Sequence, residues 1–165
     1  MRNLTETDQF KNGADVANWL DIYFEAKGFT IEPTTPHEER VLCLGDRKYT
    51  KGPKLFFIEY KSGIQTYYTG NVFIETISVD NPCAPGWAYT CQADFIFYAA
   101  LLNRKILIFQ PEKIRAEIAD LKSKFKSTKT GKGQNEYHTH GVLVPLDYAE
   151  SHLAQKVITL EGVTL

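Results

Sequence analysis

Apolar and polar positions follow two rhythms along this chain. Val16, Leu20, Tyr23, Phe24 and Lys27 recur with a helical period, with Ala17 and Trp19 widening the apolar face. The spacing predicts a helix over 14–27, ended by Gly28. A second helix opens at Pro111 and carries Ile114, Ile118, Leu121 and Phe125 as its stripe. Between and beyond them lie short runs of strand composition: Phe29–Glu32, Val41–Leu44, Leu55–Lys61, Asn71–Val79, Ala93–Leu102, Lys105–Phe109 and Gly141–Leu146. His37–Arg40 reads as a charged turn, 80–92 as a connection rich in Pro and Gly, and Asp147–Gln155 as a short helix. Strands and helices are interspersed with no internal repeat and no composition break. The expectation is one α/β (α+β) domain over residues 1–165.

One run breaks the pattern. Leu55-Phe56-Phe57-Ile58-Glu59-Tyr60-Lys61 begins as a buried strand and ends in two charges. Side chains two apart on a strand share a face, about 7 Å from each other. An exposed Glu59–Lys61 ion pair would contribute only about 0–1 kcal/mol. The alternative is half of a metal-and-water site. If the runs before and after Tyr67 form an antiparallel hairpin centred there, Glu75 falls opposite Glu59. Two facing carboxylates then need a positive charge between them.

Composition narrows the field. Formal net charge is −1 and charged residues make up 24%, so no global basic field points to nucleic acid. Any such contact needs a local patch, and Lys122, Lys124, Lys126, Lys129 and Lys132 supply one, its second half a loop by composition. No apolar run approaches the roughly 20 residues of a membrane helix, and the first residues show no secretory signal. Three cysteines without CxxC spacing argue against a disulfide framework or a Cys-rich zinc site. The expected setting is cytoplasmic. Asp21 and Glu25 read first as a solvated helix edge and second as accessory carboxylates. His138 and His140 share a strand face, but lack a nearby third ligand type.

Asp46 lies upstream of Glu59 in a neighbouring segment, with Glu38 and Glu39 as alternative acids. Carboxylate oxygens of this kind suit Mg²⁺, and a lysine beside them can orient a water or neutralise charge on a phosphate. Those are the parts of metal-assisted phosphodiester hydrolysis.

Asp46, a spacer, then Glu59-Tyr60-Lys61 at the end of an apolar strand resembles the PD-(D/E)XK nuclease superfamily, with Gly45 where the motif has proline. Thr69-Gly70-Asn71…Glu75 and Thr90…Ala93-Asp94 are similar to a branch of small, often phage-encoded members. The resemblance spans roughly residues 14 to 110. It implies a restriction-endonuclease-like core: a mixed central β-sheet flanked by helices. It also implies a DNA nuclease using Mg²⁺ or Mn²⁺ in a bacterial or phage-infected cell, and members of this fold often act as homodimers. By the same resemblance Asp46, Glu59 and the Tyr60 carbonyl would hold the metal and Lys61 would be the catalytic lysine. Glu75 would be an additional acid, and Gln92 and Asp94 would line the site. The competing expectation is a non-catalytic nucleic-acid-binding or interaction protein in which the charges form only an ion network.

Overall fold

The computed structural model describes residues 10, 12–80, 83–131 and 138–165. Asn12 and Asp15 form a reciprocal capping box that starts α1 (Gly13–Glu25), whose buried stripe is Val16, Leu20 and Phe24. Three strands follow: β1 (Thr30–Pro33), β2 (Arg47–Lys51) and β3 (Lys54–Ser62). They pair antiparallel, with Arg47 opposite Ile58. A short helix α2 (Pro36–Arg40) sits between β1 and β2, capped reciprocally by Thr35 and Glu38.

After β3 the chain forms α3 (Ile64–Thr69), β4 (Asn71–Asp80), β5 (Cys83–Pro85) and α4 (Trp87–Thr90). It then returns as β6 (Phe95–Ala100), parallel to β3, with Glu59 level with Ile96. A 3₁₀ turn leads into β7 (Lys105–Phe109) and then α5 (Pro111–Lys124). The chain ends with β8 (Ser127–Thr130), β9 (Thr139–Pro145), α6 (Leu146–Tyr148), a π turn (Ala149–Leu153) and β10 (Lys156–Thr159).

Among the described residues two sheets result: a six-stranded one in the order β1-β2-β3-β6-β7-β10, and a four-stranded one in the order β5-β4-β9-β8. One core joins Ile58, Tyr60, Phe97 and Ile106 of the larger sheet to Val16, Leu20 and Phe24 of α1. The other joins Ile96, Tyr98, Leu107 and Phe109 to Val72, Ile74, Val142 and Val144 of the smaller sheet, and to Ile114, Ile118 and Leu121 of α5. The architecture is mixed α/β, with a mixed central sheet and helices packed on it. Among the described residues, no helix is long and apolar enough to cross a membrane.

Four expectations are corrected. First, β3 and β4 are not a hairpin. Gly63 donates to the Ala99 carbonyl and lies so close to Tyr98 that a Cβ would come within 2.5 Å of its ring. The chain then coils into α3, which Thr66 anchors on the Tyr98 hydroxyl at 2.9 Å. Gly70, at φ 70°, ends α3 and sends β4 into the other sheet. Secondly, Val41–Leu44 is not a strand. Val41 caps α2, and Val41 and Leu42 are 66% and 45% exposed. The second strand is Arg47–Lys51, whose one buried residue is Tyr49. Thirdly, the segment after α5 is not loop throughout, since Ser127–Thr130 pairs with β9. Fourthly, the charged turn at His37–Arg40 is helical.

Candidate functional site

A glycine sets Asp46 in place. Gly45 has φ 91°, and a Cβ there would lie 2.7 Å from the Ile58 carbonyl oxygen and 2.8 Å from Glu59 N. Backbone can therefore press directly on β3. Asp46 donates its N–H to the Ile58 carbonyl at 2.9 Å, and its Oδ2 accepts from Tyr60 N–H at 2.7 Å. The β2 ladder ends at Arg47 opposite Ile58, so the Asp46 carboxylate supplies the next rung. Thr34 Oγ1 donates to the Gly45 carbonyl at 2.6 Å and holds the turn from behind. Since Tyr60 sends its N–H toward Asp46, its carbonyl faces the same side of the strand.

Glu59 and Lys61 emerge from β3 as an ion pair, with Nζ 2.5 Å from Oε1 and side-chain exposures of 17% and 28%. Burial raises the Glu59 carboxyl above its ordinary pKa; Lys61 opposes that effect and the nearby Asp46 charge adds to it. Burial works against the Lys61 charge, yet Glu59, Glu75 and Asp46 together outweigh it and hold the ammonium above its usual value. Glu75 belongs to the smaller sheet, where its Oε1 accepts from Trp87 N–H at 3.4 Å. Gly86 allows this approach, because a Cβ there would lie 2.5 Å from the Glu75 carbonyl oxygen. The charge of Glu75 thus acts on Lys61 from another sheet, not from across a hairpin.

Asp46 and Glu59 line a pocket of about 220 Å³ with Glu39, Arg40, Cys43 and Cys91. Of the alternative acids, Glu39 stands on its wall, whereas Glu38 caps α2 and pairs with Lys48 at 3.4 Å. Among the described residues, no group of three or more His, Cys, Asp and Glu side chains converges in metal-ligating geometry. In kind, the donors do fit a hard divalent cation. Each carboxylate has one oxygen in a protein contact and a second oxygen beyond it, and the Tyr60 carbonyl is alongside.

Other expected residues lie elsewhere. Gln92 and Asp94 do not line this pocket. Asp94 Oδ2 accepts from Phe57 N–H at 2.7 Å, where the β3–β6 pairing begins, and both residues border a separate polar pocket. Asp21 bonds Arg47 at 3.0 Å and accepts from the Tyr60 hydroxyl at 2.8 Å, so it braces β2 and β3 from the α1 side. His138 and His140 both contact Asp80 Oδ2, at 3.2 and 3.0 Å, which lowers the Asp80 pKa to about 2.

Among the lysines, Lys122 and Lys124 lie in the last turn of α5, with Lys124 paired to Asp120 at 2.7 Å. Lys126 follows α5, Lys129 is on β8, and Lys132 lies outside the described residues. Thr128 pairs with Gly141, which pairs with Glu75, so β8 is two strand spacings, roughly 10 Å, from Glu75. Sequence reasoning missed Arg40 and Arg115, because a lone arginine outside a motif carries no local signal. Comparison with protein-family models, curated proteins and solved structures gives no match for this chain.

Proposed function

We propose that this protein is a Mg²⁺- or Mn²⁺-dependent nuclease that hydrolyses DNA phosphodiesters on a restriction-endonuclease-like core. The observation that carries the reading is the meeting of Asp46, Glu59 and Lys61 at the end of one central strand, with Glu75 acting on the same lysine. An opening helix, an antiparallel run of strands bearing the acids, and a later strand added in parallel to β3 support that core.

Asp46, Glu59 and the Tyr60 carbonyl would hold the cation. When bound, such an ion makes water nucleophilic near neutral pH and offsets charge on the phosphate. Lys61 stays protonated through its three acidic neighbours. It therefore acts as a donor, orienting the attacking water or bonding a phosphoryl oxygen as negative charge grows there. The lysines around β8 serve as phosphate contacts across the sheet.

A second reading rests on the closed Glu59–Lys61 pair: a DNA-binding module in which the charges only brace the strand end. Incubation with plasmid and single-stranded DNA separates the two. A nuclease cleaves with Mg²⁺ or Mn²⁺, not with EDTA, and Lys61→Ala abolishes cleavage while the circular dichroism spectrum is unchanged. Metal-dependent cleavage at the wild-type rate by Lys61→Ala would refute the mechanism. Salt-sensitive binding without cleavage would favour the module.

A further inference from the structure

We propose that the polar pocket beside the acids is a subsite for an unpaired guanine of the substrate strand. The inference rests on the nuclease reading and names the class of DNA that site would take.

The pocket has a volume of about 300 Å³ and carries the side chains of Gln92, Asp94, Gln110, Glu112 and Arg115. Phe56 and Phe95 border it, and their rings, with centroids 5.9 Å apart, pack against the core on the α1 side of the sheet. A single stretch of chain divides it from the acid pocket. Cys91 and Cys43 line the acid side. Arg115 Nη1 donates to the Cys91 carbonyl at 2.5 Å from the other side, and Gln92 N–H donates to the Cys43 carbonyl at 2.8 Å. The wall is one segment thick, since Cys91 lines one pocket and its neighbour Gln92 lines the other.

The lining selects the occupant. Two carboxylates against one guanidinium disfavour a second phosphate. A neutral, flat group that both donates and accepts hydrogen bonds suits the pocket better. Guanine alone among the DNA bases presents two adjacent donors, N1–H and N2–H₂, which match a carboxylate. Its O6 and N7 acceptors match arginine. Those donors are engaged in duplex pairing, so the base must be unpaired. Single-stranded or locally melted DNA is the substrate class that follows.

The test uses fluorescence anisotropy with labelled oligothymidylate, the same strand carrying one central guanine, and the same strand carrying inosine, which lacks the 2-amino group. Ca²⁺ replaces Mg²⁺ so that binding is read apart from cleavage. The guanine strand is expected to bind about tenfold tighter than oligothymidylate, with inosine losing part of that preference. Glu112→Gln, at an exposed position, and Asp94→Asn should remove the preference while leaving oligothymidylate binding unchanged. Equal binding of the three strands by the wild type would overturn the guanine subsite and leave the nuclease reading standing. A preference that persists in both variants would place the base elsewhere and also overturn it. No binding to any strand would overturn both.

Discussion

Replacing Gly45 by alanine tests how Asp46 reaches β3. Two costs can be separated, because Gly52, in the β2–β3 hairpin, also has positive φ, at 59°, but nothing lies within 4 Å of its would-be Cβ. Gly52→Ala therefore bears only the left-handed conformation, about 1 kcal/mol. Gly45→Ala bears that too, and its Cβ meets backbone atoms of Ile58 and Glu59 at 2.7–2.8 Å, which cannot rotate aside. The turn must move away from β3. That loosens three hydrogen bonds: Asp46 N–H to Ile58 O, Tyr60 N–H to Asp46 Oδ2, and Thr34 Oγ1 to Gly45 O. At about 0.5–1.5 kcal/mol each, the total destabilisation is on the order of 3–5 kcal/mol. Urea unfolding of the two variants measures the difference directly, and Mn²⁺ titration calorimetry should show weaker binding in Gly45→Ala alone. Equal stability losses in the two variants would refute the reasoning that a close backbone approach positions Asp46.

Lys61→Met leaves Glu59 buried near Asp46 with no cation beside it, and should cost about 2 kcal/mol at pH 8, less than a fully buried pair because Lys61 is 28% exposed. Since the ionised form of Glu59 is the disfavoured one, the deficit relative to wild type should shrink as pH falls toward 5 in urea unfolding; a constant deficit would contradict this. Asp80 is held at a pKa of about 2 against an ordinary 3.8, so its bonds to the histidines stabilise the fold above pH 3.8 and are lost as pH falls through about 2. Acid titration followed by circular dichroism should therefore show Asp80→Asn less stable than wild type above that window and equal to it below. Gly86→Ala has no conformational penalty at φ −79°, yet its Cβ would lie 2.5 Å from the Glu75 carbonyl oxygen. It should lose about 1–3 kcal/mol in thermal unfolding, and a melting temperature equal to wild type would count against the contact.

Helical periodicity located α1 and α5, and apolar, aromatic and β-branched composition located β3, β7 and most of β4, β6 and β9. The sequence also singled out Glu59 and Lys61, since charges at the end of an apolar strand are visible without any partner. The strand Arg47–Lys51 escaped it: with only Tyr49 buried, the segment has no apolar rhythm, and its extended form comes from pairing on both sides. The run Val41–Leu44 misled for the converse reason, since four apolar residues carry no period and here begin at the C-cap of α2.

What only the tertiary structure decided is which elements meet. Strand pairing is non-local, so nothing in Leu55–Lys61 specifies that its neighbour is β6, thirty-odd residues later, and not β4. The sheet that delivers Glu75 to Lys61, the glycine contact that lays Asp46 on Tyr60, and the wall that assigns Gln92 and Asp94 to a different pocket all arise from backbone packing between distant segments. The sequence could name the charges because charge is a property of single residues. Their arrangement into one cluster depends on close approaches that exist only once both sheets are packed.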